Sequence, residues 1–228
     1  MAGETVKCEA ICLKISPWSR TSHIVTWLTS SGIVQTSVKG AVRPKSAFLG
    51  QYDLNYTCEI VYYTRARNEV HVLRECTPCN TRDFLRQDHR LFALSDYFRA
   101  EVRNLAPQGD EAEDWFRFMI GAIDALEEAG KGRESKLLRI AALVDFEVKV
   151  LKLSGLWPNL PSDGGLFELR GERRLPIPKE VASCLNDPRG EKNIQILLDT
   201  ARVIGVFYSF HLDCALDARR AVLRMICN

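Results

Sequence analysis

No stretch of this 228-residue sequence approaches the ~18 consecutive uncharged apolar residues that a membrane-spanning helix requires. The opening "MAGETVKCEAICLKI" interrupts every apolar run with Lys7, Glu9 or Lys14, which excludes the apolar segment of a secretory leader. A strong charge of either sign is also missing, since the formal net charge is only +2. Histidine is scarce: the four residues His23, His71, His89 and His211 are scattered, and each reads as a structural or surface group rather than a general base. G-x-x-x-x-G-K-[ST], G-x-G-x-x-G after a strand, H-E-x-x-H and G-x-S-x-G are all absent. ATP hydrolysis is therefore not expected, and the chain reads as a protein that is not an enzyme. Internal repeats and low-complexity segments are absent too.

Cysteine, with eight residues, is not scarce, but its spacing is not that of a small disulfide scaffold, and a chain of this length buries a core without cross-links. Reduced thiols in the cytoplasm fit better. "CTPC", Cys76 to Cys79, has metal-ligand spacing, yet a closed tetrahedral site needs two more ligands and no second cysteine pair exists; His71 and His89 are only neighbours in sequence. No metal or other cofactor is expected, and both thiols are expected to pack at a strand-to-helix boundary. The pair leaves one different class of function open, a redox dithiol activated by a helix N-terminus. Such folds need βαβ units, which the preceding segments do not offer.

What the sequence does contain is ordinary globular composition, 46% apolar and 26% charged, and a length that suits one or two domains. Through residue 80, "KCEAICLKI", "HIVTWLTS", "GIVQTSVKG", "YDLNYTCEIVYY" and "EVHVLREC" alternate and are rich in β-branched and aromatic residues. They predict five strands. Ser30, Ser31 and Gly32 make a hairpin of the second and third, and "TRARN" joins the fourth to the fifth. Five antiparallel strands without helical interruption suit an OB-fold, a barrel that binds oligonucleotides with one face and its loops.

From Asp88 the apolar period becomes helical. "DHRLFALSDYFRAEVRNLAP" and "DEAEDWFRFMIGAIDALEEAG" stop at Pro107 and Gly130, and "ESKLLRIAALVDFEVKVLKLSG" carries a stripe of Leu137, Ile140, Ala141, Val144, Val148 and Leu151 that Gly155 closes. "LWPNLPSDGG" then breaks the pattern, and two or three further helices follow. The expectation is an α+β protein with an OB-fold domain over 1–80 and a mainly helical domain over 81–228, with a non-helical insertion around 156–178.

Charge is unevenly spread. Through Asn80 nine Lys and Arg face six Asp and Glu, leaving 22 against 23 in the remainder. Three of those cations, Lys39, Arg43 and Lys45, surround Gly40 and Pro44 in "VKGAVRPKS", and Arg65 and Arg67 lie on the next predicted loop. Such a turn is either solvated decoration or a phosphate grip, in which Arg forks onto the phosphate and Lys acts as a point charge. Trp18, Trp27, Tyr62 and Tyr63 are candidates for stacking on bases, or else core; Trp18 and Tyr62 are the two we favour for stacking.

"SPWSRTSHIVTWLTSSGIVQTSVKGAVRPKS" resembles the N-terminal signature of the RecO family of bacterial recombination mediators, with Pro17, Trp18, Ser19, Thr21, Ser22, Gly32, Lys39, Gly40, Ala41 and Ser46 standing where that pattern wants them. "FEVKVLKLSGLWPNL", Phe146 to Leu160, resembles the family's later helix and its exit. The resemblance implies an OB-fold followed by a helical domain. It also implies binding of single- and double-stranded DNA, strand annealing, work with RecR and with the acidic tail of single-strand-binding protein, and loading of RecA in a cytoplasmic, nucleoid-associated setting. Arg20 stands where the family often has Glu and adds to the local positive charge. The zinc-binding cysteine pairs of many members are not expected, because Cys184 is the only thiol in that region. In "ALDARRAVL", Asp217 and Ala218 depart from the family's Lys-Ser-Arg and Arg219 remains. Arg82, Arg86, Arg139 and Arg219 are candidate contacts for a partner or for DNA. An alternative reading is an OB-fold scaffold for protein interactions with weak DNA binding.

Overall fold

The computed structural model describes residues 4–64, 70–131, 135–158, 160, 164–168, 174–211 and 216–227. Five strands come first: β1 (Thr5–Ser19), β2 (Ser22–Thr29), β3 (Gly32–Val38), β4 (Thr57–Tyr63) and β5 (Val70–Asn80). They close into a barrel in the order β1-β2-β3-β5-β4, antiparallel throughout except where β3 runs parallel to β5. This is the OB-fold expected from the alternation, followed by helices.

The barrel closes because β1 serves two neighbours. Its first part pairs with β4 from Thr5↔Tyr63 to Ile11↔Thr57, and its second pairs with β2 from Ala10↔Thr29 to Ser19↔Ser22. A strand can turn from one partner to the other only by bending, and the ladder slips between Cys12 and Lys14 and again between Pro17 and Ser19, as β-bulges do at barrel corners. The buried guanidinium of Arg99 donates to the carbonyl of the slipped residue, Leu13, at 2.7 Å.

Inward-facing residues fill the barrel: Ala10, Cys12, Val25, Trp27, Val38, Cys58, Ile60, Tyr62, Leu73 and Cys76 form one buried cluster. Trp27 is wholly buried, and its indole Nε1 donates to Thr36 Oγ1 at 2.8 Å, which satisfies the one polar atom such a ring brings inside. Cys58 and Cys76 both donate to the Gln51 carbonyl, at 3.6 and 3.5 Å.

Two element boundaries differ from the sequence expectation. The fourth strand begins at Thr57 rather than at Tyr52, because Asn55 takes a left-handed φ of 68° and its N–H turns onto Cys12 O at 3.0 Å. The fifth strand continues through "CTPC" to Asn80, so the cysteine pair lies within a strand. Cys76 packs into the barrel core while Cys79 is exposed, and no α-helix begins beside them, only a 3-10 turn over Asp83–Arg86. Burial lifts the Cys8 thiol to about 11, and the Cys76 hydrogen bond together with burial raises that of Cys58. Cys8 and Cys58 are packing groups, and the Cys76–Cys79 pair lies within a strand and not at the α-helix N-terminus that a thioredoxin-type dithiol uses.

The helices are α1 (His89–Leu105), α2 (Ala112–Ala129), α3 (Ser135–Leu153), α4 (Lys179–Asn186), α5 (Ile194–His211) and α6 (Leu216–Cys227), with a short hairpin of β6 (Gly165–Glu168) and β7 (Arg174–Ile177) before α4. Gly155, at φ 67°, ends α3 in a Schellman turn: Leu156 N–H reaches Leu151 O at 2.9 Å and Gly155 N–H reaches Lys152 O at 3.1 Å. No helix among the described residues is long and apolar enough to cross a membrane. Two compact units divide the chain, Met1–Asp83 with Arg99–Ile123, and Phe84–Phe98 with Asp124–Asn228.

The second unit is organised on α3, buried on nearly every side. Glu147, at its centre and fully buried, pairs with Arg219 of α6 through two bonds, Nε to Oε1 at 2.7 Å and Nη2 to Oε2 at 2.8 Å. Tyr97 Oη donates to the same carboxylate at 3.0 Å, and Arg219 Nη2 also reaches the Ala201 carbonyl of α5 at 2.6 Å. Gly205 makes room, since a Cβ there would sit 2.6 Å from Arg219 Nη1. Burial disfavours the Arg219 charge, but the Glu147 carboxylate outweighs it and raises the pKa.

Two stability outcomes follow from this packing. Thr36→Val keeps the shape but strands the Trp27 N–H in the barrel, and is expected to lower the unfolding free energy in urea by about 1–3 kcal/mol. Arg219→Ala leaves Glu147 buried without its partner and is expected to cost about 3–5 kcal/mol, whereas replacing both residues by apolar ones of similar volume restores most of it. If Arg219→Ala alone leaves the urea midpoint unchanged, the pair is not what holds the helices.

Candidate nucleic-acid interface

The end of β1, the turn into β2, the end of β3 and the segment after it enclose a concavity of about 1280 Å³ on the barrel. Its cations are Lys39, Arg43 and Lys45; its hydroxyls belong to Ser19, Thr21, Ser22, Ser37 and Ser46. Ile24, Ala47, Phe48 and Val70 supply an apolar floor, with Trp18 at the side. Among the described lining residues there is no Asp or Glu. Positive charge with no internal carboxylate partner, surrounded by hydroxyl donors, is what a run of phosphates requires.

The loop that carries the cations is built to hold them outward. Ala41 is buried at its start, and Tyr52 at its far end packs edge-on to Trp27 with ring centres 6.0 Å apart. Tyr52 Oη and His23 Nδ1 lie 2.9 Å apart, tying that end to β2. Between these pins the chain winds through successive turns: Arg43 N–H to Gly40 O at 3.1 Å, Ser46 N–H to Arg43 O at 2.9 Å and Gln51 N–H to Phe48 O at 3.1 Å. Gly40 sits at φ 65° and its N–H donates to Ser22 Oγ at 3.2 Å. A Cβ there would come within 3.2 Å of the Arg43 side chain, so glycine both permits the turn and clears the space beside Arg43.

The structure brings Lys39, Arg43, Lys45 and Trp18 together at one concavity and exposes Arg20. Arg65 and Arg67 lie outside the described residues. Trp27 is core, and Tyr62 is not placed to take a base: it is 8% exposed in the barrel cluster, with its ring stacked on His71 at 5.4 Å. Tyr63 stands under Arg74 at 5.8 Å.

Three of the four arginines named as further contacts also turn inward. Arg82 donates to Asn55 O and Thr57 Oγ1 at 2.8 and 2.7 Å, Arg139 is buried beside Asp88 at 3.8 Å, and Arg219 holds Glu147. Arg86 is exposed. Phe48 and Ser37 are lining residues that charge and aromatic spacing did not single out. Thr21, Ser22 and Ser46 were visible only as members of the signature. Among the described residues no group of three or more His, Cys, Asp or Glu side chains gathers to hold a metal ion.

Residues 1–82 match the family model described as Recombination protein O N terminal. The barrel is similar to the RecO N-terminal domain. The matched span covers all five strands and the cation-bearing loop, and it connects the chain to DNA recombination and repair. No curated protein matches the chain.

Gly40→Ala in this barrel puts a side chain into the left-handed region and is expected to lower stability in urea by about 1–2 kcal/mol. Gly40→Asn, which that region tolerates better, is expected to cost less; equal midpoints for both variants and the native protein would show that the turn relaxes without strain.

Proposed function

We propose that the protein is a DNA-binding recombination mediator without catalytic chemistry of its own, which grips the sugar-phosphate backbone in the concavity through Lys39, Arg43 and Lys45, with Arg20 beside them. The observation that carries this reading is the cluster of three cations and five hydroxyls, with no carboxylate among the described lining residues, on a barrel that matches the RecO N-terminal model. Phosphate contacts position a strand without reading its sequence, which suits a protein that acts wherever DNA is damaged. Two complementary strands held with part of their charge neutralised anneal without fuel, because base pairing is downhill.

The family's partners extend the proposal: RecR, the acidic tail of single-strand-binding protein and, through them, RecA. A groove of about 250 Å³ between α5 and α6, lined by Leu198, Ala201, Leu223 and Cys227 and flanked by Arg202 and Arg224, has the apolar-and-cationic character an acidic tail with apolar side chains calls for.

The test is a salt titration. Binding of a labelled ~30-nucleotide strand, followed by fluorescence anisotropy, is expected to weaken linearly on a log-log plot with a slope of about −0.7 for each phosphate neutralised. Replacing Lys39, Arg43 and Lys45 together by Ala is expected to reduce the slope by about 2 and the affinity with it. An unchanged slope in a folded triple variant would remove the concavity from the DNA path.

A further inference from the structure

Of the five hydroxyls at the concavity, Ser19, Ser22 and Ser37 belong to β1, β2 and β3, where the ladders hold their backbone, and Thr21 stands in the tight turn between β1 and β2. Ser46 alone lies on a long loop, in which residues 42–45, 47, 49 and 50 are exposed. It is also the one hydroxyl of the five with an arginine three positions before it, since the loop reads Arg43-Pro44-Lys45-Ser46. A serine kinase takes its substrate as an extended segment, which an exposed loop can supply and a strand cannot without leaving its sheet. Arg43 and Ser46 are neighbours in space as well. The Ser46 N–H donates to Arg43 O at 2.9 Å, closing a turn whose ends lie within about 7 Å of each other. Ser46 Oγ accepts from the Phe48 N–H at 3.2 Å, a donor that phosphate oxygens can also use.

We propose that Ser46 is a phosphorylation site for a serine kinase that reads the preceding arginine, and that the phosphoserine engages Lys39, Arg43 and Lys45 and so closes the concavity to DNA. The effect on DNA rests on the phosphate-binding reading above and adds a means of regulating it. In the transfer, the γ-phosphorus of ATP forms a bond to Ser46 Oγ, its bond to the oxygen of the ADP leaving group breaks, and the hydroxyl proton passes to the kinase's catalytic carboxylate. The product carries roughly −1.5 to −2 charge at pH 7 and three strong acceptor oxygens. Fixed covalently one turn from Arg43 and next to Lys45, it meets these cations at an effective concentration that a phosphate on a free strand does not reach. No carboxylate among the described lining residues plays that part beforehand, so the cations are open to DNA in the unmodified protein and withdrawn in the modified one.

The full-length protein is first incubated with γ-labelled ATP and a basophilic serine/threonine kinase of R-x-x-S specificity, and the label is located by mass spectrometry. Phosphate is expected on Ser46, and Ser46→Ala and Arg43→Ala are both expected to lose it. No label, or label only at other residues, overturns the site. Binding of a labelled ~30-nucleotide strand is then compared before phosphorylation, after it, and after treatment with a phosphatase. Phosphorylation is expected to weaken binding and to reduce the log-log salt slope by about 1.4, or about 0.7 for each of two cations neutralised. The phosphatase is expected to restore both, and urea unfolding checks that the modified protein is folded. Phosphate on Ser46 that leaves affinity and slope unchanged overturns the regulation even while the Lys39, Arg43, Lys45 variant still shows its reduced slope. If that variant binds like the native protein, the phosphate-binding reading itself fails and the effect of Ser46 on DNA fails with it.

Discussion

Closing a five-stranded sheet requires one strand to hydrogen-bond on both sides along its length, and β1 meets that requirement by handing over from β4 to β2 around Ala10 and Ile11. The slip at Leu13 is where the strand bends, and Arg99 caps the carbonyl there. Because β1 continues past the bend to Ser19, Trp18 and Ser19 are carried to the end of β3 and the loop beyond it. β2 joins the two ends, since His23 pairs with Pro17 of β1 on one side and with Val38 of β3 on the other.

The same molecule handles charge in two opposite ways. In the helical unit, Glu147 and Arg219 are buried and matched bond for bond with Tyr97 and the Ala201 carbonyl. Burying a pair like this is tolerable only when every polar atom is satisfied. At the concavity, Lys39, Arg43 and Lys45 are exposed and the described lining residues contribute no carboxylate. Exposed cations cost little in water, so the fold can leave them uncompensated until an anion arrives. The difference in burial separates structural arginines from those available to a ligand, although the residue type is the same.

Much of the architecture was legible in the residues. Alternation over the first 80 positions, turn residues between the runs and the change to helical period near Asp88 correspond to the strands and first three helices, because both periods are imposed by backbone geometry. The boundary errors are equally local in origin. Tyr52 to Tyr56 look like strand by composition, but Asn55 adopts a left-handed turn onto Cys12, a partner more than forty positions away. Pro78 looks like a strand terminator, yet β5 runs past it beside Cys58.

The candidate site divides in the same way. That Lys39, Arg43 and Lys45 form one cationic turn around a glycine follows from their spacing, since neighbours in sequence on a short loop must be neighbours in space. That Trp18 stands with them in the open, that Tyr62 is sealed against His71, and that Arg82, Arg139 and Arg219 face inward could not be read from the chain, because burial depends on which distant segments pack around a side chain. Residue order was sufficient for the strands, the helices and the charge of the loop. Only the closed barrel and the packed helices determined which aromatics and arginines remain open to a partner, since solvent exposure is a property of the assembled surface and not of any one segment.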